Sequence, residues 1–97
     1  MPADHRILEP PPMAERADAV EILRIWASPG NPQELTLRTA WQDPGAWGLV
    51  LVDIARHVAR AYAREGHDEQ DALDRIRDLF DAEWEDPTDV PPGVAPP

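Results

Sequence analysis

The sequence predicts an α+β domain in which a β-hairpin is followed by two α-helices (ββαα). Two segments with strand character, at 19–27 and 34–40, flank the turn-forming residues SPGNPQ. Two longer segments with helical periodicity follow, and Gly66 separates them. The order of these patterns places the hairpin first and the helical pair second.

Proline marks the ends of the predicted domain. Nine of the twelve prolines lie outside residues 19–86. We therefore expect residues 1–18 and 87–97 to be disordered proline-rich tails around a single domain. A core of this size is marginal, and without cysteine it has no disulfide to support it. We therefore expect a homodimer with a shared core, which would stabilise the small domain.

The first predicted strand is apolar on both faces. Val20, Ile22 and Trp26 lie on one face, whereas Leu23 and Ile25 lie on the other. A two-stranded sheet covered on one side does not need this pattern. Either helices cover both faces or the strand continues into a partner's sheet, so Leu23 and Ile25 are candidates for self-association.

The residues WQDPGAWG at 41–48 predict the start of the first helix. Asp43 is a favoured N-cap, and Pro44 suits the first helical position because its missing N–H is not needed there. An anion site at this helix end is a weaker alternative, because the Asp43 carboxylate already occupies the free N–H groups.

Two apolar rows run along this helix. The main stripe consists of Trp47, Val50, Leu51, Ile54, Val58, Ala61 and Tyr62. The small-residue row consists of Gly48, Val52, Ala55, Ala59 and Ala63. Small side chains let another helix approach closely, in this chain or in a second copy. We assign the small-residue row to self-association.

The second helix is predicted to begin after Asp68 as N-cap, with one apolar and one acidic face. Residues 65–89 hold eleven acidic side chains and only two arginines. A solvated surface that keeps the protein soluble explains this, and so does a surface for a basic protein partner. The candidate interaction surface is Asp71, Asp74, Asp78, Asp81 and Glu85.

Several functions are disfavoured by composition. The formal net charge of −10 argues against direct binding to nucleic acids or anionic membranes. No cysteine and only Ser28 are available as nucleophiles. Asp53 and His57 at helical spacing favour an exposed charge pair, and the HDEQD segment matches no metal loop. We expect a non-enzymatic, cytoplasmic protein without catalytic residues, metal or cofactor.

The tryptophans support an alternative function. Trp26, Trp41 and Trp47 together with Arg38 would form a pocket for a small molecule or an anion. The purely structural interpretation is that the same side chains pack in a core or an interface. The favoured function is a protein-interaction module that acts as a homodimer and exposes its acidic helix.

The segments EILRIWASPGNPQELTLRTAWQDPGAWGLVLVDIARHVARAYA and ALDRIRDLFDAEW resemble a family of small bacterial proteins known as a domain of unknown function. The resemblance covers nearly all of residues 20–86, and DPGAWGLVLVDIARH is its most particular part. It implies a compact bacterial domain and supplies no catalytic or ligand-binding residue.

Overall fold

The computed structural model describes residues 6–88 of the 97-residue chain. The elements are a 3-10 helix at Pro12–Glu15, strands β1 (Leu23–Ser28) and β2 (Asn31–Leu37), and helices α1 (Gly45–Arg64) and α2 (Glu69–Glu85). The predicted hairpin followed by two helices is confirmed. The chain divides after Gln42 into a hairpin unit and a helical unit. The predictions for residues 1–5 and 89–97 lie outside the described residues.

The short 3-10 helix lies in a segment for which no regular structure was predicted. Its leading proline fits the first turn, and the Arg16 N–H donates to the Met13 carbonyl at 3.0 Å to close it. The Arg16 guanidinium then donates to both carboxylate oxygens of Asp18, at 3.1 and 3.2 Å. This pairing lowers the pKa of the exposed Asp18 carboxyl below its ordinary value.

The hairpin turn is tighter than the sequence predicted. Strand β1 begins later than residue 19, and β2 begins at Asn31 instead of residue 34. The turn itself needs only Pro29 and Gly30, because Gly30 adopts a φ of +77° that glycine accepts without strain. Residues 31–33, predicted to belong to the turn, therefore lie in β2.

A bulge lies next to this turn. The register of the antiparallel pair shifts between Trp26 and Ser28. Between these two positions β1 has one residue, Ala27, and β2 has two, Pro32 and Gln33, so the extra residue of the bulge belongs to β2. A proline–glycine turn does not match the twist of paired strands, and a bulge adds local twist that helps them continue.

Aspartate side chains accept hydrogen bonds from the start of both helices. The Gly45 N–H donates to the Asp43 carboxylate at 2.8 Å, as expected of a capping residue, but α1 begins at Gly45, so Pro44 is the N-cap and not the first helical residue as predicted. The Asp71 N–H donates to the Asp68 carboxylate at 2.9 Å, which confirms Asp68 as the N-cap of α2. Gly66, with a φ of +104°, lies in the connection after α1. None of the described helices is long and apolar enough to cross a membrane.

Small side chains form the contact between the two helices. Ala59 is 1% exposed and is the only buried residue among residues 6–88. The other least exposed positions on facing rows are Ala55, Ala63, Ala72, Leu73 and Ile76. Three members of the small-residue row, Ala55, Ala59 and Ala63, therefore pack against α2 within the chain, because small side chains allow close approach of the two backbones, whereas Gly48 and Val52 are exposed.

Candidate interaction surfaces

One face of the hairpin is apolar and uncovered. The register places Leu23 opposite Leu37 and Ile25 opposite Leu35, so these four side chains share one face. Ile25 and Leu35 are each 54% exposed, and Leu37 is 50% exposed. Leu23 is half-buried. The predicted self-association residues Leu23 and Ile25 thus belong to a continuous apolar surface.

The opposite face of the hairpin is mixed in character. It carries Arg24 and Trp26 from β1, next to Thr36 and Glu34 from β2. Arg24 also pairs with Glu21, with 3.1 Å between the guanidinium and the carboxylate. Val20 and Ile22, which were predicted to share this strand face with Trp26, precede β1 and are not part of the strand. The second face is therefore less apolar than predicted.

A groove of about 1080 Å³ follows the outer edge of β1. Its lining includes every residue from 19 to 28 and none of β2. Consecutive strand residues point to alternate faces, so a groove that touches all of them follows the edge of the strand. The N-terminal segment forms the other wall through Ile7, Leu8 and Met13, among others.

The sequence analysis missed this groove because it assigned residues 1–18 to a tail. Ile7, Leu8 and Met13 are apolar residues next to a proline run, which a purely solvated tail does not need. That combination was the available signal. The side chains remain largely exposed, at 47%, 91% and 68% respectively.

The two rows of α1 have different surroundings. The small-residue row was assigned to self-association, but its member Ala59 is buried inside the helical unit and Ala55 and Ala63 are half-buried. Ala59 is therefore not accessible to a second chain, whereas Val52 is 54% exposed. The main stripe retains larger exposed side chains: Leu51 at 44%, Ile54 at 38%, Val58 at 37% and Tyr62 at 46%.

The acidic residues lie on the outer face of α2. At 3.6 residues per turn, the five candidates lie on the side of the helix away from Ala72, Leu73 and Ile76. Two of the carboxylates have partners on the same helix. Asp81 accepts from the Arg77 guanidinium at 2.9 and 3.0 Å, and Asp74 accepts from the Gln70 amide at 2.8 Å. All five candidates are exposed: Asp71, Asp74, Asp78, Asp81 and Glu85.

The residues of the alternative ligand pocket occupy both units. Trp26 and Trp41 belong to the hairpin unit, whereas Trp47 belongs to the helical unit. Trp41 was predicted to share a strand face with Leu37, but β2 ends at Leu37 and Trp41 follows it. The Arg38 guanidinium donates to the Glu21 carbonyl at 2.9 Å, which ties the start of β1 to the end of β2. A pocket formed by these residues stays a prediction.

The candidate catalytic pair has a local role. His57 Nδ1 lies 2.8 Å from the Asp53 carbonyl oxygen and 3.5 Å from its carboxylate, and both side chains are exposed. In the HDEQD segment, the Asp68 carboxylate caps α2 and the His67 ring meets the Tyr62 ring edge-on at 5.3 Å. Across residues 6–88, no three histidine or acidic side chains converge as metal ligands would.

The comparisons with known proteins identify a family. The family model "Domain of unknown function (DUF5076)" matches residues 7–88, which include both strands and both helices. One solved structure, described as that "of a putative pyruvate dehydrogenase from the photosynthetic bacterium Rhodopseudomonas palustrus CGA009", is 41% identical over 100% of both chains, with a TM-score of 0.73. No match was found among the curated proteins. The chain belongs to the DUF5076 family, a domain of unknown function.

Proposed function

We propose that this protein is a non-enzymatic interaction module that assembles as a homodimer and presents the acidic face of α2 to a basic protein partner. The observation that supports self-association is the exposure of apolar side chains on both units. Ala59 is the only buried residue in the described part of the chain, 6–88. A cytoplasmic location belongs to the same proposal.

The hairpin unit illustrates the need for a partner. None of its described residues is buried. Covering the remaining half of Ile25, Leu35 and Leu37 would stabilise the folded state by about 1 kcal/mol for each side chain. Isolated two-stranded hairpins are at best marginally stable in water. A second copy is a natural source of matching apolar surface, because most homo-oligomers are symmetric.

The acidic face of α2 supports the second part of the proposal. Exposed carboxylates raise the rate of encounter with a positively charged partner, and salt screens that attraction. The face lies away from the contact with α1, so a partner could bind there without separating the two helices.

The molecular mass in solution tests self-association. Light scattering should give twice the chain mass of 10.9 kDa at micromolar protein concentration. A mass of 10.9 kDa throughout an accessible concentration series would contradict the homodimer.

A basic probe peptide tests the acidic face. An arginine-rich peptide should bind at about 50 mM salt and lose most of its affinity at about 0.5 M salt. Replacing Asp74, Asp78 and Asp81 by asparagine should abolish this binding. The control replaces the exposed acids Glu9, Glu15 and Glu34 by glutamine, which changes the net charge equally. Equal losses of peptide affinity in both variants would show that binding depends only on the net charge, and this would contradict a specific surface.

The description of the solved relative motivates one enzymatic test. Consumption of pyruvate in the presence of an electron acceptor should not exceed the rate without the protein. Turnover that is proportional to protein concentration would contradict the non-enzymatic proposal.

A further inference from the structure

We propose that the outer edge of β1 pairs antiparallel with β1 of a second copy, which joins two hairpins into one four-stranded sheet. This inference rests on the proposed homodimer and names the surface through which it forms. Four observations carry it: the groove along β1, the direction of the backbone groups in β1, the obstructed edge of β2 and the residue pairs that the two-fold arrangement creates.

The groove has the course of a site for an extended chain. It follows the whole of β1, and the N-terminal segment forms its second wall. The partner's β1 would lie beside β1 in this groove and would keep its own β2 along its other edge.

The backbone of β1 presents hydrogen-bonding groups to this groove. The Arg38 N–H donates to the Ile22 carbonyl at 3.0 Å, so this pair is a hydrogen-bonded one. Hydrogen-bonded and non-hydrogen-bonded pairs alternate in an antiparallel ladder. The N–H and C=O groups of Leu23 and Ile25 therefore point away from β2, toward the groove. An added strand gains affinity from such main-chain groups.

The outer edge of β2 is interrupted near the turn. Pro32 has no backbone N–H, and the bulge opposite Ala27 interrupts the regular spacing of the ladder. Both features are known to prevent strands from pairing at a sheet edge. The four regular pairs from Leu23 to Trp26 belong to both strands, so the interruption affects only the end of β2 next to the turn.

Charge and side-chain pairing favour a second copy as the occupant. The charged residues that line the groove are Arg6, Glu9, Glu21 and Arg24. Their two positive and two negative charges cancel, so the groove does not favour a strongly charged partner. When Ile25 lies opposite the partner's Ile25, Arg24 lies opposite the partner's Trp26, a favourable cation–aromatic pair. Moving the register by one pair would place Arg24 opposite the partner's Arg24, which repels.

The resulting sheet would also solve the instability of the isolated hairpin. Four strands with an apolar face meet the requirement for independent stability, whereas two strands do not. The apolar faces of the two hairpins, each formed by Leu23, Ile25, Leu35 and Leu37, would become continuous across the two-fold axis.

Single-cysteine variants test this arrangement, since the natural chain has no cysteine. Under mild oxidation, Ile25→Cys should form a disulfide-linked dimer, because opposite residues of paired strands are about 5.5 Å apart at Cα, within the range for a disulfide. Leu35→Cys is the matched control, with the same face and the same exposure of 54%. It should cross-link far less.

Proline variants provide a second measurement without cross-linking. Ile25→Pro removes an N–H that points to the groove and should raise the dimer dissociation constant about tenfold or more. Leu35→Pro removes the equivalent outward N–H of β2 and should leave dimerisation nearly unchanged. Circular dichroism verifies that both variants keep their secondary structure.

The outcomes separate this inference from the proposed function. Preferential cross-linking of Ile25→Cys supports the β1 edge. Equal cross-linking of both cysteine variants, or stronger cross-linking of Leu35→Cys, overturns it. A natural chain that is dimeric while Ile25→Cys fails to cross-link overturns the β1 edge and leaves the homodimer standing. A monomeric natural chain overturns both.

Discussion

Ile25 and Leu35 lie directly opposite each other in the hairpin, and each leaves 54% of its surface exposed. They form a non-hydrogen-bonded pair, because the hydrogen-bonded pair at Ile22 and Arg38 fixes the alternation. The Cα atoms of such pairs are about 4.5 Å apart. This pair therefore reports directly on the register of the hairpin.

A double-cysteine variant tests that register. Ile25→Cys combined with Leu35→Cys should form a disulfide within the chain, because both side chains lie on one face at bonding distance. The control combines Ile25→Cys with Thr36→Cys, whose side chains lie on opposite faces. Mass spectrometry under denaturing conditions distinguishes the products, and an intrachain disulfide in the control instead would contradict the register.

The contact between the helices can be tested at Ala59. Ala59→Leu should reduce the free energy of unfolding by about 1–3 kcal/mol, because the larger side chain forces α1 and α2 apart. Ala61→Leu is the control, since Ala61 is exposed on the same helix and its substitution should cost less than about 0.5 kcal/mol. Urea unfolding at a fixed protein concentration measures both. Similar losses of unfolding free energy in the two variants would contradict a role of Ala59 in the contact between the helices.

The capping roles of Asp43 and Asp68 predict a further loss of stability. Replacing either residue by alanine should cost about 1 kcal/mol, because an N–H at the start of the helix loses its acceptor. Asp78→Ala removes the same charge from the exposed middle of α2 and should cost less. Thermal unfolding compares the three variants, and equal shifts in Tm would assign the effect to net charge instead of capping.

The pair formed by Arg16 and Asp18 predicts a pH-dependent signal. The guanidinium lowers the pKa of Asp18, so Arg16→Gln should return that pKa toward its ordinary value. The stabilising contribution exists above the ordinary pKa and is lost as the pH falls through the lowered one. Because both side chains are exposed, carboxyl chemical shifts are a better measurement than stability. Arg24→Gln is the control, and an equal response to it would contradict a specific pair.

The sequence was sufficient to predict the architecture because its local signals agree with one another. Asp43 and Asp68 supplied helix starts, and Gly66 supplied the break between helices. Strand boundaries were harder to predict. Asn31 and Pro32 favour turns in isolation, yet once Gly30 closes the chain in two residues they continue into β2.

The surfaces were less predictable than the elements. Periodicity identified both apolar rows of α1, but it could not determine which one α2 would contact. The alanines of the small-residue row took that position because they allow close approach, and the main stripe kept larger exposed side chains. The groove along β1 depends on a segment that comes before the strand, and proline content alone gave no indication of its path.

Pro32 and the adjacent bulge set a limit on assembly. A hairpin with two open edges could add chains at both sides and grow into a filament. If two copies pair through β1, as proposed above, each copy uses that edge, and the interruption at Pro32 disfavours further pairing along β2. Under that proposal, Pro32 would limit the growth of the assembly beyond two chains.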